Sequence, residues 1–132
     1  MLFRSGYWYE AALPGRNAFC MRDMAHQSIA AEMLGLSKHN FNIIEKFAEN
    51  ISDSKDWCSY WEIDKDNKPC PADYVNDANF WYNLNANFDI IFACWRLYEW
   101  TGDRRYLNKK GVHPGSAEIG RASCRERVLR LV

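Results

Sequence analysis

The chain has 132 residues, and its 17 Lys and Arg balance its 17 Asp and Glu, so it lacks the basic excess of a nucleic-acid partner's footprint. That length suits one modest domain, and no run approaches the ~18 apolar residues a membrane span needs. Five cysteines occur, none in C-x-x-C spacing, which argues against a zinc site.

From Tyr7 to Cys20, the turn signal Leu13-Pro14-Gly15 predicts a loop or short strand leading into a helix. Arg22 to Leu34 then places Met24, Ala25, Ile29, Ala30, Met33 and Leu34 at helical spacing, with Gly35 as the C-terminal cap. Ser37 is the expected N-cap of a second helix. Its apolar stripe is Phe41, Ile44, Phe47, Ala48 and Ile51, with Glu45, Lys46 and Glu49 on the wet side. The short connection Leu34 to Lys38 makes the two helices an antiparallel pair.

Between Asp53 and Asn83 the periodicity breaks. Loops beyond ~12–15 residues are usually functional or disordered, and disorder is poor in aromatics. This stretch holds Trp57, Tyr60, Trp61, Tyr74, Phe80, Trp81 and Tyr82, so an ordered functional loop is expected, with a short extended segment around Ser59 to Ile63. Asn85 to Thr101 is the third long helix, with Phe88, Ile91, Phe92, Trp95 and Tyr98 recurring at helical intervals. Gly102 ends it, and Asp103 caps a short final helix through Leu107. The expected fold class is all-α, built of antiparallel helical hairpins with a long aromatic loop.

Arg22, Asp23 and His26 open the first helix. A carboxylate is favoured there by unpaired backbone donors. Arg22 supplies a rigid fork of donors and Asp23 a pair of acceptors, which together suit the vicinal hydroxyls of a sugar. The plainer alternative is a capping Asp with a structural ion pair. Asp23 and His26 alone are too few for a metal site, and His26 reads more simply as a hydrogen-bonded structural residue. Trp61 and Glu62, and then Trp81, Tyr82 and Asn83, set aromatic faces beside carboxylate and amide groups. That pairing suits carbohydrate, whose C–H faces stack on indoles while its hydroxyls need partners. Phe80 and Trp95 are read as packing residues.

Taken together, these segments resemble the six-hairpin glycosidase superfamily, whose fold is an (α/α)6 toroid. The clearest match is Leu13-Pro14-Gly15-Arg16-Asn17-Ala18-Phe19-Cys20-Met21-Arg22-Asp23 with His26-Gln27. It is similar to the Arg-Asp-bearing loop and inner helix of glucoamylase-like families. The second is Tyr98-Glu99-Trp100-Thr101-Gly102-Asp103 with Tyr106-Leu107. The block Asp56 to Asn83 resembles glycosidase-like proteins of gut-type bacteria. The resemblance implies a partial toroid of about two hairpins and a glycoside hydrolase acting by acid–base hydrolysis on an oligosaccharide, without a redox cofactor. It also implies that Arg22 and Asp23 hold sugar at the −1 subsite and favours a periplasmic or extracellular site. Glu62 and Asp23 are the carboxylates nominated for acid–base work. The rivals are a non-catalytic carbohydrate- or protein-binding α-hairpin protein and an α/α-toroid polysaccharide lyase with a Tyr or His base.

The end of the chain differs in character. No aromatic residue follows Tyr106, and Glu118 to Val128 resembles the in-frame translation of a sequencing adapter, to be set aside before fold reasoning. Setting aside residues from Glu118 onward leaves 13 basic and 15 acidic residues, a net −2. It also leaves Cys20, Cys58, Cys70 and Cys94, expected as free thiols, with a single disulfide as the alternative. Residues 1–110 are thus expected to be a truncated glycosidase-like unit and 111–132 an artefactual or disordered tail. Truncation would leave apolar helix faces uncovered, Ile91, Phe92 and Trp95 among them.

Overall fold

The computed structural model describes residues 8–9, 18–71, 73–81 and 86–108. Among them, three α-helices occur: α1 (Met21–Met33), α2 (Ser37–Glu49) and α3 (Ala86–Thr101). Four short strands accompany them: β1 (Phe19–Cys20), β2 (Glu62–Ile63), β3 (Tyr74–Asn76) and β4 (Asn79–Phe80). β1 pairs antiparallel with β2, and β3 with β4. The expectation of an all-α partial toroid is therefore corrected: the fold is mixed α and β. The strands escape a pattern search because each is two or three residues long, too short to show an alternation of period two. The expected extended segment near Ser59 to Ile63 is realised as β2. No helix of the described residues is long and apolar enough to cross a membrane.

α1 starts at Met21, with extended Cys20 as its N-cap and Asp23 in its first turn. Met21, Met24, Ala25, Ser28 and Ala31 are its buried residues, the spacing of one helical face. Met33 and Leu34, expected on that face, are exposed. Met33 lies about 200° around the helix from Ala31, and Leu34 falls past the last helical residue. The Gly35 cap is observed: its φ is 76°, its N–H donates to Glu32 O at 2.9 Å, and that of Leu36 donates to Ala31 O at 2.9 Å. These are the paired bonds of a Schellman turn.

α2 buries Asn40, Ile43, Ile44, Phe47 and Ala48. Ser37 is its first helical residue rather than its cap. Leu36 occupies the cap position without a side-chain cap bond, and the Ser37 hydroxyl donates to Glu32 Oε1 instead.

On α3 the buried positions are Ile90, Ala93, Cys94 and Leu97. This helix carries two apolar faces: of the residues expected at helical intervals, Ile91 and Tyr98 pack partly buried against the core, while Phe92 and Trp95 are exposed. Small residues on α1 (Ala25, Ser28, Ala31) and on α3 (Ala93, Cys94) let the two helices pack closely. The bulkier Phe88, Phe92, Trp95 and Trp100 turn outward, between 46% and 59% exposed. Trp95 is thus not a packing residue between helices, whereas Ile91 is partly buried against the core. Gly102, with φ 71°, ends α3, and the Asp103 side chain accepts from the Arg105 N–H to cap a 3-10 turn at Arg104–Tyr106. Both were expected.

The stretch after α2 is tied down at several points. The Ser59 hydroxyl donates to Phe47 O at 2.7 Å, and Asn50 Nδ2 donates to Asn67 Oδ1 at 2.7 Å. Asp56 and Trp57 both have positive φ, 54° and 57°, where Lys55 and Cys58 close a tight turn. Tyr60 stands edge-on to Tyr74 at 5.1 Å and to Phe80 at 6.5 Å between ring centroids, so Phe80 is a packing residue as expected.

Candidate functional site

The register of β1 against β2 builds the site. Phe19 lies opposite Ile63 and Cys20 opposite Glu62. One residue further along, the Met21 N–H donates to Trp61 O at 3.1 Å. Arg22 therefore leaves the strand beside Trp61, about forty residues away in sequence. Its Cζ lies 5.6 Å from the centroid of the Trp61 ring, within the ~6 Å reach of a cation–π contact. Both side chains are half-buried.

A third element completes the cluster. Arg22 Nε is 3.6 Å from Asp89 Oδ2, close enough for an ion pair but longer than a hydrogen bond. Asp89 stands in the first turn of α3. Oδ2 is buried and has no hydrogen-bond partner among the described residues, while the side chain as a whole is 21% exposed. Sequence reasoning missed Asp89. An acid in the first turn of a helix reads as a dipole partner, and only the packing of α1 on α3 brings it to Arg22.

The other nominated residues sit as follows. Asp23, half-buried in the first turn of α1, and Glu62, buried on β2, both act on the Cys20 thiol. That thiol is pushed up to about 11, first by burial and then by these carboxylates, with the Asp23 and Arg22 backbone N–H groups opposing. Cys20 is accordingly protonated at neutral pH and is not a thiolate nucleophile. His26 is exposed. Trp81 is 63% exposed, and its backbone N–H donates to Asp73 O at 2.7 Å. Tyr82 and Asn83 lie outside the described residues, as do Leu13 to Arg16 and the stretch Glu118 to Val128. Cys20, Cys58, Cys70 and Cys94 carry free thiols. Among the described residues, no group of three or more His, Cys, Asp or Glu is placed to hold a metal ion.

Arg22, Trp61 and Asp89 thus converge, with Glu62 and Asp23 behind them near Cys20. A cavity of about 490 Å³ lies elsewhere, lined by Glu32, Phe41, Asn42, Glu45, Arg105 and Tyr106 among others. Arg105 Cζ lies 4.6 Å from the Phe41 ring centroid there, and Asp103 pairs with Arg105. This cavity contains none of the nominated residues. Its polar groups largely serve the helix ends: Glu32 accepts from Ser37 and Asn40, and Asp103 caps the final turn. The Arg22 cluster is therefore the stronger candidate on chemistry.

Comparison of the chain with family models, with curated proteins and with solved structures finds no match.

Proposed function

We propose that the chain is the substrate-holding portion of a glycoside hydrolase that cleaves an oligosaccharide by acid–base hydrolysis, without a cofactor. The observation that carries this reading is the Arg22 guanidinium lying 5.6 Å from the Trp61 ring and 3.6 Å from the Asp89 carboxylate. An indole receives the apolar C–H face of a sugar ring. A guanidinium donates to hydroxyl oxygens in a fixed fork, and a carboxylate accepts from hydroxyl hydrogens. The three together match a vicinal diol on a flat ring. The resemblance carried by Arg22-Asp23 with His26-Gln27 supports the same reading. It rests on the site and makes no use of a toroidal fold.

In this reading Arg22, Trp61 and Asp89 hold the sugar, with Asp23, His26, Trp81, Tyr82 and Asn83 as the further binding positions. Glu62 and Asp23 are the candidate carboxylates for proton transfer. Glu62 is anchored by the β1–β2 register, and an enclosed carboxyl group is suited to a general acid. An inverting reaction would need a second carboxyl group ~6.5–9.5 Å from the first.

The test is to express the open reading frame that contains this chain and assay it for sugar released from a broad panel of glycosides. Release of a reducing sugar is expected, with Arg22→Ala lowering kcat/KM at least about a hundredfold, the loss of a charge-assisted contact pair. No release from any glycoside would overturn the proposal. An unsaturated product absorbing in the ultraviolet would assign the site to a lyase instead.

A further inference from the structure

We propose that the outward face of α3 is a self-association surface, on which a second copy of this chain docks with its own α3 running antiparallel. A helix turns about 100° per residue, so Phe88, Phe92, Trp95 and Glu99 fall within about 60° of one another in a row about 16 Å long. The buried Ile90, Ala93 and Leu97 fall on the opposite side, and the row points away from α1. Its three aromatic side chains are between 46% and 52% exposed. Two contacts within the helix order them. Arg96 Cζ lies 5.3 Å from the Phe92 ring centroid, and the Trp95 and Tyr98 rings are 5.8 Å apart. Rings already held in place lose less freedom when a partner covers them.

Charge selects a second copy as the occupant. The chain carries 17 basic and 17 acidic residues, so two copies approach without the net repulsion that keeps highly charged proteins apart. Glu99 is exposed in the last turn of α3, a turn without a basic residue. There its carboxylate meets the negative end of its own helix dipole. An antiparallel copy offers the positive end instead. With the two-fold axis midway between Phe92 and Trp95, Glu99 of each copy comes beside the first turn of the other's α3. Phe92 of each copy then lies against Trp95 of the other. A surface that complements itself in this way closes at two copies. Covering the exposed halves of three aromatic side chains removes roughly 200–400 Å² per copy, well under the ~800 Å² of a standard interface. The dimer is therefore weak and reversible, half assembled on the order of 100 µM.

The test is sedimentation velocity on the whole chain and its Phe92→Glu, Trp95→Glu and Glu99→Lys variants, from about 5 µM to about 1 mM, a range that brackets the expected dissociation constant. The parent should pass from one chain to two over that range. Phe92→Glu and Trp95→Glu place a charge in the centre of the row and should stay monomeric throughout. Both positions are outward, so these variants should melt with the parent at the lowest concentration. Glu99→Lys sets a cation against the positive end of the other copy's helix and should weaken the dimer at least about threefold. A parent chain still monomeric at about 1 mM would overturn the proposal, since the row would then be left to some other partner. A dimer that survives Phe92→Glu would overturn it by placing the interface elsewhere. Growth beyond two copies would contradict the closed two-fold, and a Glu99→Lys dimer as tight as the parent's would contradict the antiparallel arrangement.

Discussion

A buried side-chain amide has four hydrogen-bonding positions, and Asn40 uses three of them to join separate parts of the chain. Its Oδ1 accepts from the Tyr9 hydroxyl at 2.8 Å, and its Nδ2 donates to Ser28 O and to Glu32 Oε2, each at 2.8 Å. The residue is fully buried. Asn40→Ala should therefore cost about 1–3 kcal/mol, chiefly through the Tyr9 hydroxyl and Ser28 carbonyl left without their partner. Urea unfolding measures the loss, and a shift under 0.5 kcal/mol, the size typical of a neutral surface change, would refute it. Asn40 was invisible in the sequence, because a polar residue at the start of a helix reads as solvated. Arg22 and Trp61 were legible as sugar-binding candidates by chemical type alone. Asp89 was not, since its place beside Arg22 follows from how α3 packs on α1 and not from its neighbours in the chain.

Among the elements, the helices were legible where they carried punctuation. Gly35, Gly102 and Asp103 occupy the stops and starts that left-handed backbone and side-chain capping require. A Cβ at Gly35 would meet nothing within 4 Å, so Gly35→Ala should cost only the left-handed conformation, about 1 kcal/mol. Equal stability of the two forms in a denaturant melt would contradict this account of the turn. The buried face of α3 was not legible, because either of its two apolar faces satisfies the same periodicity. The β3–β4 hairpin could not be read at all from strands this short. Asp77, between those strands, accepts from the Ser54 hydroxyl and from the Tyr74 hydroxyl at 2.7 Å. These two bonds, the Ser54 bond first, lower its carboxyl below the ordinary 3.8, and the same bond raises Tyr74 to about 12. A folded value below the unfolded one means that the folded state binds the proton less tightly than the unfolded chain does. The stabilisation is therefore complete above pH 3.8 and is lost as pH falls through the lowered value. Amide exchange in Tyr74–Asn76 should accelerate through that acid window, and Asp77→Asn should abolish the pH dependence. A pH-independent hairpin in the parent chain would contradict it.

At the scale of the whole molecule, contacts divide into two ranges. α1 and α2 are joined by the three residues Leu34 to Leu36 and pack against each other across that short loop. The β1–β2 ladder joins Phe19 to Ile63 and Cys20 to Glu62, and α3 returns to α1 from further still. Closing a long segment has an entropic cost that must be met before its contacts can contribute. The helix pair is thus the expected nucleus, and the ladder the later event. Ile43→Val and Ile63→Val, each expected to cost about 1 kcal/mol, should separate in stopped-flow kinetics: the first mainly slows refolding and the second mainly speeds unfolding. Equal partition of both would remove the distinction. The two-residue ladder has a consequence for the order in which the chain matures. Trp61 comes to Arg22 only when the strands register, and Asp89 only when α3 docks. During refolding, the helix pair should therefore acquire its protection before the cluster of Arg22, Trp61 and Asp89 exists, and that cluster should be the first feature surrendered as the chain comes apart.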